Sequence, residues 1–180
     1  DVTRDMLFHG STIYFLFISG FLFHYLSANF KMHKYYWGKI KNVVIPYIFI
    51  SIAFILMEGF IGVQNDMSFK DYLLLIGNKL INGTASFQFW YIPFIIIVFL
   101  ISPLFLKIKK EYFIKYIPLL FLLPLLGTRT SIYITFFQFI YFVPAYLIGI
   151  YSSVNYEYFM SFIIKNKVYI LFIAVASSVA

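Results

Sequence analysis

Few side chains in this 180-residue sequence can do chemistry: it has three histidines, seven acidic residues and no cysteine. His9 and His24 are candidate general bases, because imidazole titrates near neutral pH. A lone histidine at a membrane interface also serves as a hydrogen-bonded structural residue, and that alternative stays open. On one helix the fifteen-residue gap between them spans about 22 Å, too far for a shared site. Lys39 and Lys41 follow Tyr35, Tyr36 and Trp37, so ammonium charge and aromatic faces lie together. Such a group can attract phosphates and stack on an adenine ring, or it can be the basic aromatic collar with which a membrane protein meets the headgroups. Glu58 is the one acid inside an apolar segment, with Arg4, His9 or Arg129 as expected partners and a position at the helix end as the competing explanation. Without cysteine there are no disulfides, thiolate nucleophiles or thiolate metal sites, and no metal site is expected. There is no glycine-rich phosphate loop and no carboxylate pair.

The elements that must position these groups belong in a bilayer. A chain that is 62% hydrophobic, 23% aromatic and 12% charged carries more apolar side chains than a soluble domain of its size can hide. The expectation is an all-α, polytopic helical bundle, with 1–180 part of one membrane domain and no soluble domain. Spans are expected at Met6–Ala28, Val43–Val63, Phe89–Leu106, Tyr112–Gly127 and Ser131–Val154, with a truncated sixth at Val168–Ala180. Pro118 and Pro124 predict kinks in the short fourth span. Ser68 and Asp71 form a serine capping box, and Phe69, Tyr72, Leu73, Ile76 and Leu80 follow at helical spacing, which predicts an amphipathic helix. Lysines concentrate in Phe30–Asn42, Lys107–Lys115 and Asn155–Lys167, so those loops are expected in the cytoplasm and the amphipathic helix outside. The net charge of +7 is dispersed among loops, which suits topology and anionic lipid headgroups and argues against nucleic acid. On this orientation the first visible span enters from outside. The chain, which begins at Asp1, therefore reads as an internal fragment with one helix missing upstream.

The pattern GSTIYFLFISGFLF at Gly10–Phe23, then a basic loop with KIKNVVIPYI, then FWYIPFIIIVFLISPLF and FVPAYLIGIY, resembles successive landmarks of the integral membrane acyltransferase-3 family. The likeness is closest to the branch described as O-succinyltransferases of poly-N-acetylglucosamine adhesin. The resemblance implies a ten-helix-type fold that moves an acyl group, acetyl or succinyl, from cytoplasmic acyl-CoA to a hydroxyl of a cell-surface polysaccharide or exopolysaccharide. It implies no other cofactor, a site in the cell membrane among its lipids, and a polysaccharide synthase as a partner. Relatives bear an essential arginine and histidine on the first helix; no position here matches them, so no catalytic residue is carried over. Where many relatives have arginines before the proline, this chain has Lys39 and Lys41, which keep the charge as donor-binding candidates but lose the bidentate fork. A transporter or export component for a polysaccharide or lipid-linked glycan is the rival reading, on the prolines and glycines that interrupt Val43–Val63 and Phe139–Tyr151. An inactive relative that only packs against partners is a third.

Overall fold

A computed structural model describes residues 11–61, 68–86, 89–128 and 134–179. Every regular element among them is helical, as composition and span length require. The order is α1 (Ser11–Tyr25), a 3-10 turn (Ser27–Asn29), α2 (Met32–Lys39), a π-helical stretch (Ile40–Val44), α3 (Ile45–Ile61), α4 (Phe69–Asn82), α5 (Tyr91–Phe105), α6 (Lys110–Leu122), a 3-10 turn (Leu123–Leu126), α7 (Phe136–Val154) and α8 (Tyr156–Val179).

Among the described residues two stretches are long and apolar enough to cross a membrane, Met32–Glu58 and Phe136–Val154. The fifteen-residue helix α5 rises about 22 Å, short of a hydrocarbon core of about 30 Å; of the first expected span, the described part is helical from Ser11 to Tyr25. The expected fourth span is divided: α6 contains Pro118 and stops at Leu122, and a tight turn carries Pro124. Arg4, His9 and Arg129 lie outside the described residues.

All three expected loops are largely helical instead, Lys107–Lys115 because α6 begins at Lys110. Most of Phe30–Asn42 is the start of a run that continues through the π stretch into α3. Asn155–Lys167 lies almost wholly in α8, and the backbone bonds from Asn155 N–H to the Tyr151 carbonyl and from Phe159 N–H to the Asn155 carbonyl carry helical pairing across the junction. Lysine has good helix propensity, so a lysine-rich segment need not end a helix. The π stretch has its own cause. Pro46 offers no N–H to the helix, and just before it the Ile45 amide reaches back five residues to the Ile40 carbonyl.

By contact the chain falls into two units. The first comprises the described residues of Asp1–Asn29, Ile108–Thr128 and Phe139–Ala180. Here α1 and α7 touch backbone to backbone: a Cβ on Gly20 would strike the Tyr146 carbonyl, and one on Gly149 would strike the Phe17 carbonyl and the Phe21 amide nitrogen. Glycine permits that approach between helices that have no hydrophobic drive to associate in lipid. Since Gly20 meets Tyr146 and His24 meets Ser153, the two helices run in the same direction. Packing of Phe17 and Phe21 on Phe159, and of Tyr25 on Tyr156, sets α8 antiparallel to α1.

The second unit is Phe30–Lys107 with the described part of Arg129–Gln138. On α3 the buried face is Tyr47, Ser51 and Ile55, one turn apart, whereas Phe49 is 75% exposed and Ile45, Ile48, Ile52 and Leu56 are exposed with it. Polar atoms inward and apolar surface outward is the pattern of a helix solvated by lipid. The amphipathic helix forms where expected, α4, with Ser68 extended at its N-cap and Gly83 closing it at φ 67°. The serine capping bond does not form; only the Ser68 backbone carbonyl accepts, from the Tyr72 amide.

Glycine positions with and without space give a direct test of the helix pairing. Gly149→Leu should cost about 1–3 kcal/mol or more, because backbone cannot yield to the new side chain. Gly38→Ala, with nothing within 4 Å of its Cβ, should stabilise by about 0.5–1 kcal/mol. Thermal unfolding of the two variants in detergent micelles reads both signs, and equal effects would contradict the close approach.

Candidate functional site

Pro103 lies inside α5 and has no N–H, so the carbonyl four residues back, Phe99, loses its helical partner. That carbonyl is supplied from another helix: the Tyr35 hydroxyl on α2 donates to Phe99 O at 3.2 Å. The Tyr36 hydroxyl donates to Leu100 O at 2.9 Å, and the Ser102 hydroxyl to Val98 O at 2.7 Å. Three successive carbonyls around the proline thus each receive a hydroxyl. In hydrocarbon an unmet carbonyl is costly, so the two tyrosines both pin α2 to α5 and repair the helix they pin it to.

One turn after Tyr35 on α2, the pinning brings Lys39 over α5. Its ammonium sits 3.6 Å from the centre of the Phe99 ring and 5.5 Å from that of Tyr35. It borders a crevice of about 220 Å³ lined also by Tyr36, Ile40, Val43, Val44, Ile96 and Leu100. A single cation on an otherwise apolar wall suits a ligand with a phosphate or carboxylate at one end and a nonpolar or weakly polar body, and the ring faces lend the ammonium a partner until such an anion arrives. The crevice runs between antiparallel segments, because Tyr35 meets Phe99 while Tyr47 and Phe54 meet Phe89, just ahead of α5.

The site candidates separate in the structure. Lys39 lines the crevice; Lys41, on the π stretch, is exposed and lies outside the lining. Glu58 pairs with Lys79 of α4; the expected partners Arg4, His9 and Arg129 lie outside the described residues. The pair, with the Tyr47 hydroxyl donating to Leu80 O at 2.6 Å, ties the amphipathic helix to α3. In the first unit, His24 is half-buried with Nδ1 3.0 Å from Ser153 Oγ. His9 lies outside the described residues. Among the described residues no group of three His, Cys, Asp or Glu could hold a metal ion.

Residues 3–180 match the acyltransferase-3 family model, an acyltransferase domain. The chain belongs to the acyltransferase-3 family. No curated protein and no solved structure matches it. The family is membrane-associated and its activity is acyl transfer, which the two long apolar stretches and the outward apolar faces accommodate.

Sequence reasoning missed Tyr35 as a helix pin and Ser153 as a partner for His24. The first had a signal, the proline four residues after Phe99, which announces a carbonyl in need of a donor. The second had only a weak one, the adjacent Ser152 and Ser153 in an apolar helix.

Removing a pin tests this account. Tyr35→Phe strands the Phe99 carbonyl and should destabilise the acyltransferase by about 1–3 kcal/mol. Tyr36→Phe should cost less, since in a helix the Leu104 amide still faces Leu100 O. Detergent-scan midpoints for the two variants decide it, and an equal or reversed order would remove the role assigned to Pro103.

Proposed function

We propose that this chain is part of a multi-pass acyltransferase of the cell membrane that moves an acyl group, acetyl or succinyl, from acyl-CoA to a hydroxyl of a cell-surface polysaccharide or exopolysaccharide. The observation that carries the donor side of this reading is the Lys39 ammonium on the rim of an apolar crevice, with Lys31, Lys34 and Lys41 exposed nearby in sequence. Phosphates of the donor would meet the lysines, Tyr36 and Trp37 offer faces to the adenine, and the crevice would take a less polar part of the molecule. Lysine supplies charge without arginine's fork, so the contribution is attraction more than geometry.

The proposed topology places the lysine-rich segments 30–42, 107–115 and 155–167 in the cytoplasm, with five spans and the start of a sixth. Helix directions within each unit support it. Spans one and five run the same way, the second and third run oppositely, and α8 opposes α1, as alternate crossings demand. Membrane lipids are the immediate neighbours of the exposed apolar faces, and a polysaccharide synthase is a fitting partner to present the acceptor. Transport by broken helices has less behind it, because the helix runs on through Pro46 in α3 and through Pro144 and Gly149 in α7.

Two measurements test this reading. Lys39→Gln in the full-length enzyme should raise KM for acyl-CoA about tenfold, most strongly at low salt, whereas Lys41→Gln should change it less. An unchanged KM in both would leave the lysines a purely topological role. Single cysteines placed in this cysteine-free chain at Lys34 and Asn78, both exposed, should react oppositely with an impermeant maleimide on intact cells: Lys34→Cys protected, Asn78→Cys labelled. Labelling of Lys34→Cys from outside would reverse the assignment.

A further inference from the structure

The first unit holds a polar group that donor capture does not use. At the end of α1 and along the last turn of α7 lie Ser27, His24, Ser152, Ser153 and Asn155. Most of them bond to a backbone carbonyl three or four residues back: Ser27 Oγ donates to His24 O at 2.6 Å, Ser152 Oγ to Ile148 O at 2.9 Å, and Asn155 Nδ2 to Tyr151 O at 3.1 Å. Ser153 differs. Its hydroxyl crosses to the other helix and meets His24 Nδ1 at 3.0 Å.

The backbone contact fixes that pair. His24 stands one turn beyond Gly20 and Ser153 one turn beyond Gly149, and these are the two glycines at which α1 and α7 meet backbone to backbone. Each side chain is therefore carried by a rigid element, with little freedom to drift from its partner. A hydroxyl within hydrogen-bond reach of an imidazole is the arrangement that activates a serine nucleophile, and an ionisable side chain in a membrane helix is costly unless it has a use or a partner.

We propose that Ser153 is an acyl carrier, with His24 as its general base, so that the acyl group passes through a serine ester on its way from donor to acceptor. This rests on the reading of the protein as an acyl-CoA-dependent transferase. With the proton of the neutral imidazole on Nε2, Nδ1 takes the Ser153 proton as Oγ attacks the thioester carbonyl. The Oγ–C bond forms, the C–S bond breaks, and the imidazolium returns the proton to the departing sulfur, giving free CoA thiol. In the second half an acceptor hydroxyl attacks the ester carbonyl: its O–C bond forms and the Oγ–C bond breaks. The acceptor's proton passes by way of His24 to Ser153 Oγ. No oxidant, metal or further reactant enters.

The experiment uses full-length protein in membrane vesicles with radiolabelled acetyl-CoA, first without polysaccharide and then with it. Label should accumulate on the protein, map to the peptide containing Ser153, resist neutral hydroxylamine but yield to alkaline hydroxylamine, and be discharged by added polysaccharide. Ser153→Ala should abolish the label. Ser153→Cys should keep it as a thioester that neutral hydroxylamine removes, a change of lability that a merely structural hydroxyl would not produce. His24→Gln should slow labelling by about 100-fold or more while the thermal midpoint shifts little. Transfer to polysaccharide with no label ever held by the protein, or full labelling in Ser153→Ala, would overturn the carrier and leave the acyltransferase reading standing. Neither label nor transfer from acetyl-CoA or succinyl-CoA would overturn both.

Discussion

The second unit depends on one backbone carbonyl. Pro103 takes the helical partner from Phe99 O, and both residues are buried, so a donor must come from the protein. Tyr35 provides it from α2, and with Tyr36 one residue on, the start of the long helix is held against α5. Everything assigned to donor recognition follows from that fixation. Lys39 comes over the Phe99 ring because its helix is pinned one turn earlier, and the crevice exists because residues 36–44 are held against 96–100. The π stretch ahead of Pro46 is a second accommodation to proline in the same helix, and it falls where Lys39 gives way to Lys41.

The first unit is held together by a different device. Lipid gives no reward for burying one apolar helix face against another, so association relies on close packing and on polar contacts. Gly20 and Gly149 bring two backbones together, and the aromatic rings of Phe17, Phe21 and Tyr25 fill the approach to α8. The same closeness that binds the helices sets His24 opposite Ser153. In both units a polar group buried for structural reasons thus places a chemically useful side chain: the phenols place an ammonium, and the glycine contact places an imidazole and a hydroxyl.

Much of this was legible in the sequence, but unevenly. The all-helical class, the cores of the apolar segments and the amphipathic helix at Phe69–Asn82 follow from composition and spacing, since a membrane forces the backbone to satisfy itself within helices. Ends of elements were less legible. Lysine clusters at 31–41 and 165–167 did not end helices, because nothing in their chemistry breaks one. The Ser68 box illustrates the limit of a local motif: the residue sits at the N-cap with extended backbone, yet its hydroxyl makes no capping bond.

By itself the sequence determined the solvent, the helical class, the family and the supply of chemical groups, for these depend on composition and on ordered local patterns. It also named Lys39, His24 and Glu58 as residues needing an explanation, because a titratable group beside or within an apolar segment is costly wherever the chain folds. Tertiary structure alone decided their partners. Glu58 found Lys79 of the amphipathic helix, Lys39 found the face of Phe99, and His24 found Ser153, which is 129 residues away in sequence. Such pairings turn on which faces of two helices meet and at what height, and those are settled by the fit of Gly20, Gly149 and the Phe99 carbonyl to their neighbours, which no periodicity along the chain encodes.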